Sequence, residues 1–108
     1  VEKVLELAKE LGITTLKDAE RYGLSLTLGG GEVPLLELTA AYAAFANGGY
    51  RVTPFAILRV EDSKGQTLWE AKPRIGPRVL DERVAYLITN ILSDDEARVI
   101  GFGQGKRA

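Results

Sequence analysis

Three serines, a run of three glycines and a run of three acids are the features of this sequence that could do chemistry. Ser25, Ser63 and Ser93 are the only serines. A serine becomes a nucleophile when a neighbouring base takes its proton, and that base is commonly His or Lys. The chain has no His. A Lys three residues after the Ser would serve, but those positions hold Leu28, Gln66 and Glu96. Lys64 adjoins Ser63, yet both fall in an expected hairpin turn without a pocket to orient a base. Gly29, Gly30 and Gly31 precede an expected helix and could offer amides to an anion. A phosphate loop needs a Lys and a Ser or Thr at its end, whereas Glu32, Val33 and Pro34 follow here. Glu32 repels a phosphate and Pro34 removes a donor, so the run is read as turn and packing geometry. Asp94, Asp95 and Glu96 are consecutive and lack the alternate spacing of a calcium loop, so they are read as a solvated helix terminus. Glu32 and Glu37 suggest no close carboxylate pair. Trp69 is read as a cross-strand packing residue ahead of a sugar platform. The residues assign no catalytic, cofactor-binding or metal site, and no cofactor.

The elements that carry these residues can be traced from period and punctuation. Val1, Val4, Leu5, Ala8 and Leu11 follow helical spacing, with Glu2, Lys3, Glu6, Lys9 and Glu10 on the other side, and Gly12 ends the helix. Thr14 or Thr15 is expected to cap a short helix through Leu16, Ala19 and Tyr22, stopped at Gly23. Leu24, Leu26 and Leu28 alternate with Ser25 and Thr27 and suggest a short extended segment. From Pro34, placed at the first helical position, to Asn47 nearly every residue is apolar or small. A helix apolar on most faces is expected to be buried on most faces, with Phe45 inside and Gly49 left-handed at its end. Phe55–Glu61 and Gln66–Glu70 read as a hairpin around Asp62, Ser63, Lys64 and Gly65. Pro73 and Pro77 punctuate an irregular link. Asp81 caps a helix through Val84, Leu87, Ile88 and Ile91 to about Ser93, and residues 101–108 are expected to form a mobile tail.

Composition excludes several classes. The 108 residues carry 14 Lys plus Arg against 15 Asp plus Glu, a formal charge of −1. Without a basic surplus there is no electrostatic footprint for nucleic acid. No Cys is present, which removes disulfides and thiolate zinc sites. An apolar fraction of 45% and a charged fraction of 27% are those of an ordinary globular chain. No stretch of 18 apolar residues occurs, so no membrane contact is expected of this segment. The sequence opens on Val1 within a helix and contains no Met, which reads as an excerpt from a longer chain.

Leu24–Val33, then Leu35-Leu36-Glu37-Leu38-Thr39-Ala40-Ala41-Tyr42 and Phe45-Ala46-Asn47-Gly48-Gly49, resemble the transpeptidase domain of class A penicillin-binding proteins. Leu7–Thr14 resembles the helix following that family's second active-site motif. The hairpin with Asp62 and Gly65, Arg78-Val79-Leu80 and Ala85–Thr89 continue the likeness over about residues 1–100. The resemblance implies an α+β fold, a fragment of the β-lactamase/transpeptidase-like fold with helices plus a β-hairpin. In that family Ser-x-x-Lys, Ser-x-Asn and Lys-Thr-Gly supply the site. None occurs here: Ser25-Leu26-Thr27, Ser63-Lys64-Gly65 and Ser93-Asp94-Asp95 fail the second motif, and Arg107 follows Lys106. The resemblance therefore places residues 1–108 between the second and third motifs, as a non-catalytic scaffold of a partial transpeptidase domain. It implies peptidoglycan stem peptides and β-lactams as partners through the parent protein, no nucleic acid, and location on the extracytoplasmic face of the bacterial membrane. It also implies an upstream glycosyltransferase domain and membrane anchor. The alternatives are a D,D-carboxypeptidase or β-lactamase of the same fold, or a free-standing binding module retaining the scaffold.

Overall fold

The computed structural model describes residues 1–17, 19–72 and 75–103, without the Phe102 side chain. The expectations for Pro73 and for residues 104–108 of the tail lie outside this set. In chain order the elements are α1 (Glu2–Glu10), α2 (Ala19–Tyr22), a 3-10 helix (Gly23–Leu28), α3 (Leu35–Ala46), β1 (Arg59–Glu61), β2 (Thr67–Glu70), α4 (Glu82–Leu92) and α5 (Asp95–Phe102). Helices with one antiparallel hairpin make the chain α+β, as the sequence implies.

The core is small and lies where α1 and the residues after it meet α3. Ala8, Leu11 and Ile13 are buried with Ala41 and Ala44, and Leu16, Val33, Phe45, Val79 and Leu80 pack around them. α4 packs against α3, and its Ala85, like Ala44 of α3, is fully buried. Small residues at these contacts let the helix backbones approach, but each contributes little apolar area. The expected burial of α3 on most faces is not found. Leu35 is 80% exposed, Leu36 and Tyr42 are also exposed, and Phe45 is half-buried. The reason is that the described residues cover only the Ala41–Ala44 side of α3. Likewise α1 buries Leu5, Ala8 and Leu11 but leaves Val1 and Val4 exposed, and α4 turns Ala85 inward, with Val84, Leu87 and Ile91 outward. The accessible surface is 9222 Å², against about 5,900 Å² for a compact globule of this mass. The radius of gyration is 17.8 Å, against about 13 Å for a compact chain of this length.

Local chemistry explains where several elements depart from the sequence pattern. Residues 23–28 coil into a 3-10 helix instead of an extended segment, and the Ser25 hydroxyl donates to the Tyr22 carbonyl. Pro34 is the N-cap residue of α3, in an extended conformation (ψ 136°), and does not occupy the first turn. The expected strand from Phe55 shortens to Arg59–Glu61, because residues 55–57 find no partner strand. Its register pairs Arg59 with Glu70, Val60 with Trp69 and Glu61 with Thr67, with a bulge after Val60. Asp62 organises the turn by accepting from the Lys64 and Gln66 amides at 2.8 and 2.9 Å. Asp81 caps α4 through the Arg83 amide at 2.9 Å. α5 was not expected. Asp94 is its cap, accepting from the Ala97 amide at 3.0 Å, so the acidic run starts a helix and is more than the trailing end of α4. α5 extends to Phe102 and so includes the first two residues of the expected tail.

A main-chain clasp joins the end of α3 to the start of α4. Val79 and Leu80 both donate to the Gly49 carbonyl, at 2.8 and 3.2 Å, and Arg51 donates to Pro77 at 3.0 Å. Tyr50 and Arg78 form an isolated antiparallel bridge, with the Arg78 guanidinium 4.6 Å from the Tyr50 ring centre. Gly49 is left-handed, at φ +91°, and a Cβ there would lie 2.1 Å from the Leu80 carbonyl oxygen. Only glycine meets both conditions.

Candidate functional site

The residues flagged in the sequence as possible chemistry do not converge. Ser25 commits its hydroxyl to Tyr22 and Ser93 to Asn90 at 3.2 Å, both backbone carbonyls in their own turns. Ser63 stays in the exposed hairpin turn. Among the described residues no hydrogen bond joins a serine to a lysine, and no group of three His, Cys, Asp or Glu could hold a metal ion. Trp69 stands half in solvent opposite Val60, on a two-stranded ribbon whose residues are all exposed. None of the described helices is long and apolar enough to cross a membrane.

What the fold does bring together is a bracket between the chain after α1 and the entry to α3. The Glu37 carboxylate accepts from the Thr14 amide at 2.8 Å and from the Thr14 hydroxyl at 2.7 Å, so both oxygens serve one residue. Thr15 donates its hydroxyl to the Glu32 carbonyl at 2.7 Å. Leu16 packs so closely on Gly31 that a Cβ there would come within 2.6 Å of its methyl. Gly31 therefore answers to close packing and Gly29 to a left-handed turn at φ +87°, while Glu32 contributes its carbonyl to the bracket. The Thr14 amide first, and then its hydroxyl, hold the Glu37 carboxyl below the ordinary carboxylate range, because both stabilise the charged form. A carboxylate so occupied is a structural acceptor, not a free base.

This bracket escaped the sequence pattern. Thr14 and Thr15 sit where caps belong, and neither caps α2, which begins only at Ala19. Their partners are 23 and 17 residues away, beyond any local spacing rule. The only signal was two hydroxyls after a helix end and a Glu in the first turn of another helix.

Comparison with known proteins decides what the scaffold belongs to. No family model matches the chain. Penicillin-binding protein 1A of Neisseria lactamica is 39% identical over 75 residues, covering 66% of this chain and 9% of that protein. Penicillin-binding protein 2D of Bacillus subtilis is 38% identical over 91 residues, covering 84% and 13%. Penicillin-binding protein 1A of Pseudomonas aeruginosa is 37% identical over 86 residues, covering 79% and 10%. The chain belongs to the penicillin-binding proteins. It spans about a tenth of the length of the curated relatives it matches. The α+β arrangement of helices and hairpin is consistent with a piece of this family's transpeptidase domain.

Proposed function

We propose that residues 1–108 are a scaffold segment of a class A peptidoglycan D,D-transpeptidase domain, lying after Ser-x-Asn and before Lys-Thr-Gly and supplying no catalytic group. In this reading the parent protein works at the extracytoplasmic face of the bacterial membrane. A serine outside the segment attacks the carbonyl between the two terminal D-Ala residues of a stem peptide. The amide bond breaks, the last D-Ala leaves with a proton, and an amine of a neighbouring peptide takes the acyl group and frees the serine. β-Lactams would acylate the same serine.

The observation that carries this reading is the match to penicillin-binding proteins 1A and 2D across 66–84% of this chain. The commitment of Ser25 and Ser93 to backbone carbonyls agrees with it, since it leaves both without a general base. The test is to read the coding frame on both sides and to label the full-length polypeptide with a fluorescent penicillin. The acylated peptide should map to a Ser-x-x-Lys serine outside residues 1–108. Label on Ser25, Ser63 or Ser93, or flanks lacking all three motifs, overturns the reading.

A further inference from the structure

α1 reaches the core through Ala8, and the chain just after it through Leu11 and Ile13, opposite Ala41 and Ala44 of α3, so the helix itself meets α3 at little more than one small, smooth residue. Burial of Ala8 and Leu11 against Ala41 and Ala44 pulls the helices together without fixing how they are turned, because the hydrophobic effect has no direction. Direction comes from Thr14. Its amide and hydroxyl meet the two oxygens of Glu37 at 2.8 and 2.7 Å, and a planar carboxylate held at both oxygens sets an angle as well as a distance. Thr14 is a rigid extension of α1: Ile13 beside it donates its amide to the Ala8 carbonyl at 2.9 Å and buries its side chain in the core. Thr15, bonded to the Glu32 carbonyl, prevents rotation about that point.

We propose that Glu37 is a positioning residue for the acyl-transfer site of the parent protein, setting through Thr14 the angle at which α1 lies on α3. The proposal rests on the transpeptidase reading, in which Ser-x-Asn lies close by, upstream of Val1. α1 has nine residues and is thus about 14 Å long. A tilt of about 10° at its Thr14 end displaces the other end by about 2 Å. Misplacement by about 1 Å can cost a catalytic site on the order of a hundredfold in rate. A half-buried carboxylate with no place in the chemistry therefore gains leverage on it.

The experiment uses the full-length polypeptide that carries this segment. It follows the second-order rate constant for acylation by a fluorescent penicillin, the fraction of molecules labelled at completion, and the melting temperature. Glu37→Gln leaves one acceptor oxygen where two are needed and should slow acylation about tenfold, while the labelled fraction stays complete. Thr14→Val should do the same, and Thr14→Ser, which keeps both donors, should retain the wild-type rate. Because the two residues act through one contact, Glu37→Gln with Thr14→Val should be no slower than the slower single variant. A wild-type rate constant in both Glu37→Gln and Thr14→Val overturns the proposal even where melting falls, since Glu37 would then only stabilise. If Glu37→Gln does not fold, the difference between Thr14→Val and Thr14→Ser decides. A wild-type protein that penicillin does not label removes the transpeptidase reading itself and the proposal with it, an outcome distinct from labelling that ignores Glu37.

Discussion

The helical core and the β-hairpin are held by opposite means. In the core, partners lie far apart in sequence: Thr14 meets Glu37, Ile13 packs with Ala44, and Gly49 accepts from Val79 and Leu80. In the hairpin everything is local: Asp62 ties its own turn, Gly65 takes φ +79°, and Arg59 pairs with Glu61 at 2.9 Å. Every residue of β1 and β2 is exposed. The core depends on a few points where no other residue fits, while the hairpin tolerates change because its strand residues are all exposed.

The largest effect that tests this contrast should come from Gly49→Val. It combines a left-handed backbone with a Cβ placed 2.1 Å from the Leu80 carbonyl oxygen. A loss of about 3 kcal/mol or more is expected in chemical denaturation of the full-length polypeptide. Gly48→Ala is the control. Gly48 is also left-handed, at φ +64°, but a Cβ there meets nothing within 4 Å, so about 1 kcal/mol is expected. Equal losses would show that backbone conformation, not the clasp, sets the cost.

Phe45→Ala comes next. Half-buried in the core of the described chain, Phe45 should cost about 2 kcal/mol if its surroundings stay as they are here. If the exposed side of α3 is covered in the full-length polypeptide, the cost should rise to about 3–5 kcal/mol. Denaturation of the same variant in both lengths separates the two outcomes. In the hairpin, Trp69→Ala removes one cross-strand partner of Val60 and should cost less than about 1 kcal/mol. A larger loss would mean that Trp69 is buried by something beyond this chain.

The smallest effect concerns acid. Asp81 is held well below its ordinary value by the Arg83 side chain first and the Arg83 amide second, and Glu37 is lowered by Thr14. Groups depressed in the folded state contribute stability above their unfolded pKa, and that contribution is lost as pH falls through the folded value. Melting temperature should therefore fall gradually below about pH 4, the ordinary carboxylate range. Asp81→Asn should flatten that slope. An unchanged slope would mean that neither Asp81 nor its capping contact contributes at low pH.

Legibility in the sequence followed the same division. The hairpin turn at Asp62 to Gly65 and the capping of α4 by Asp81 could be read directly, because each is decided within five residues. Helical period found α1, α3 and α4, but the period says which side is apolar and not what lies against it. Hence α3 was expected to be enclosed, whereas only Ala41 and Ala44 are buried. Residues 23–28 form a 3-10 helix although Leu24, Leu26 and Leu28 alternate like a strand, because none of the described strands pairs with them. α5 was missed because Gly101 and Gly103 mask its pattern, although Asp94 marks its start. The Glu37 bracket could not be read at all, since its two halves are strangers in sequence.

The clasp at Tyr50 and Arg78 has an architectural corollary. It gathers both ends of the excursion that carries the hairpin into a narrow neck, with Arg51 to Pro54 still lying beside Gly12 and the start of α3 before the chain runs out to the hairpin. Loop-closure entropy grows only with the logarithm of length, about 0.6 kcal/mol for each doubling. Lengthening the excursion at its exposed tip therefore costs the scaffold little. The tip at Lys64 and Gly65 is in effect a socket: a reporter peptide or a small foreign domain spliced there would ride on the scaffold without disturbing the packing of α3 on α4.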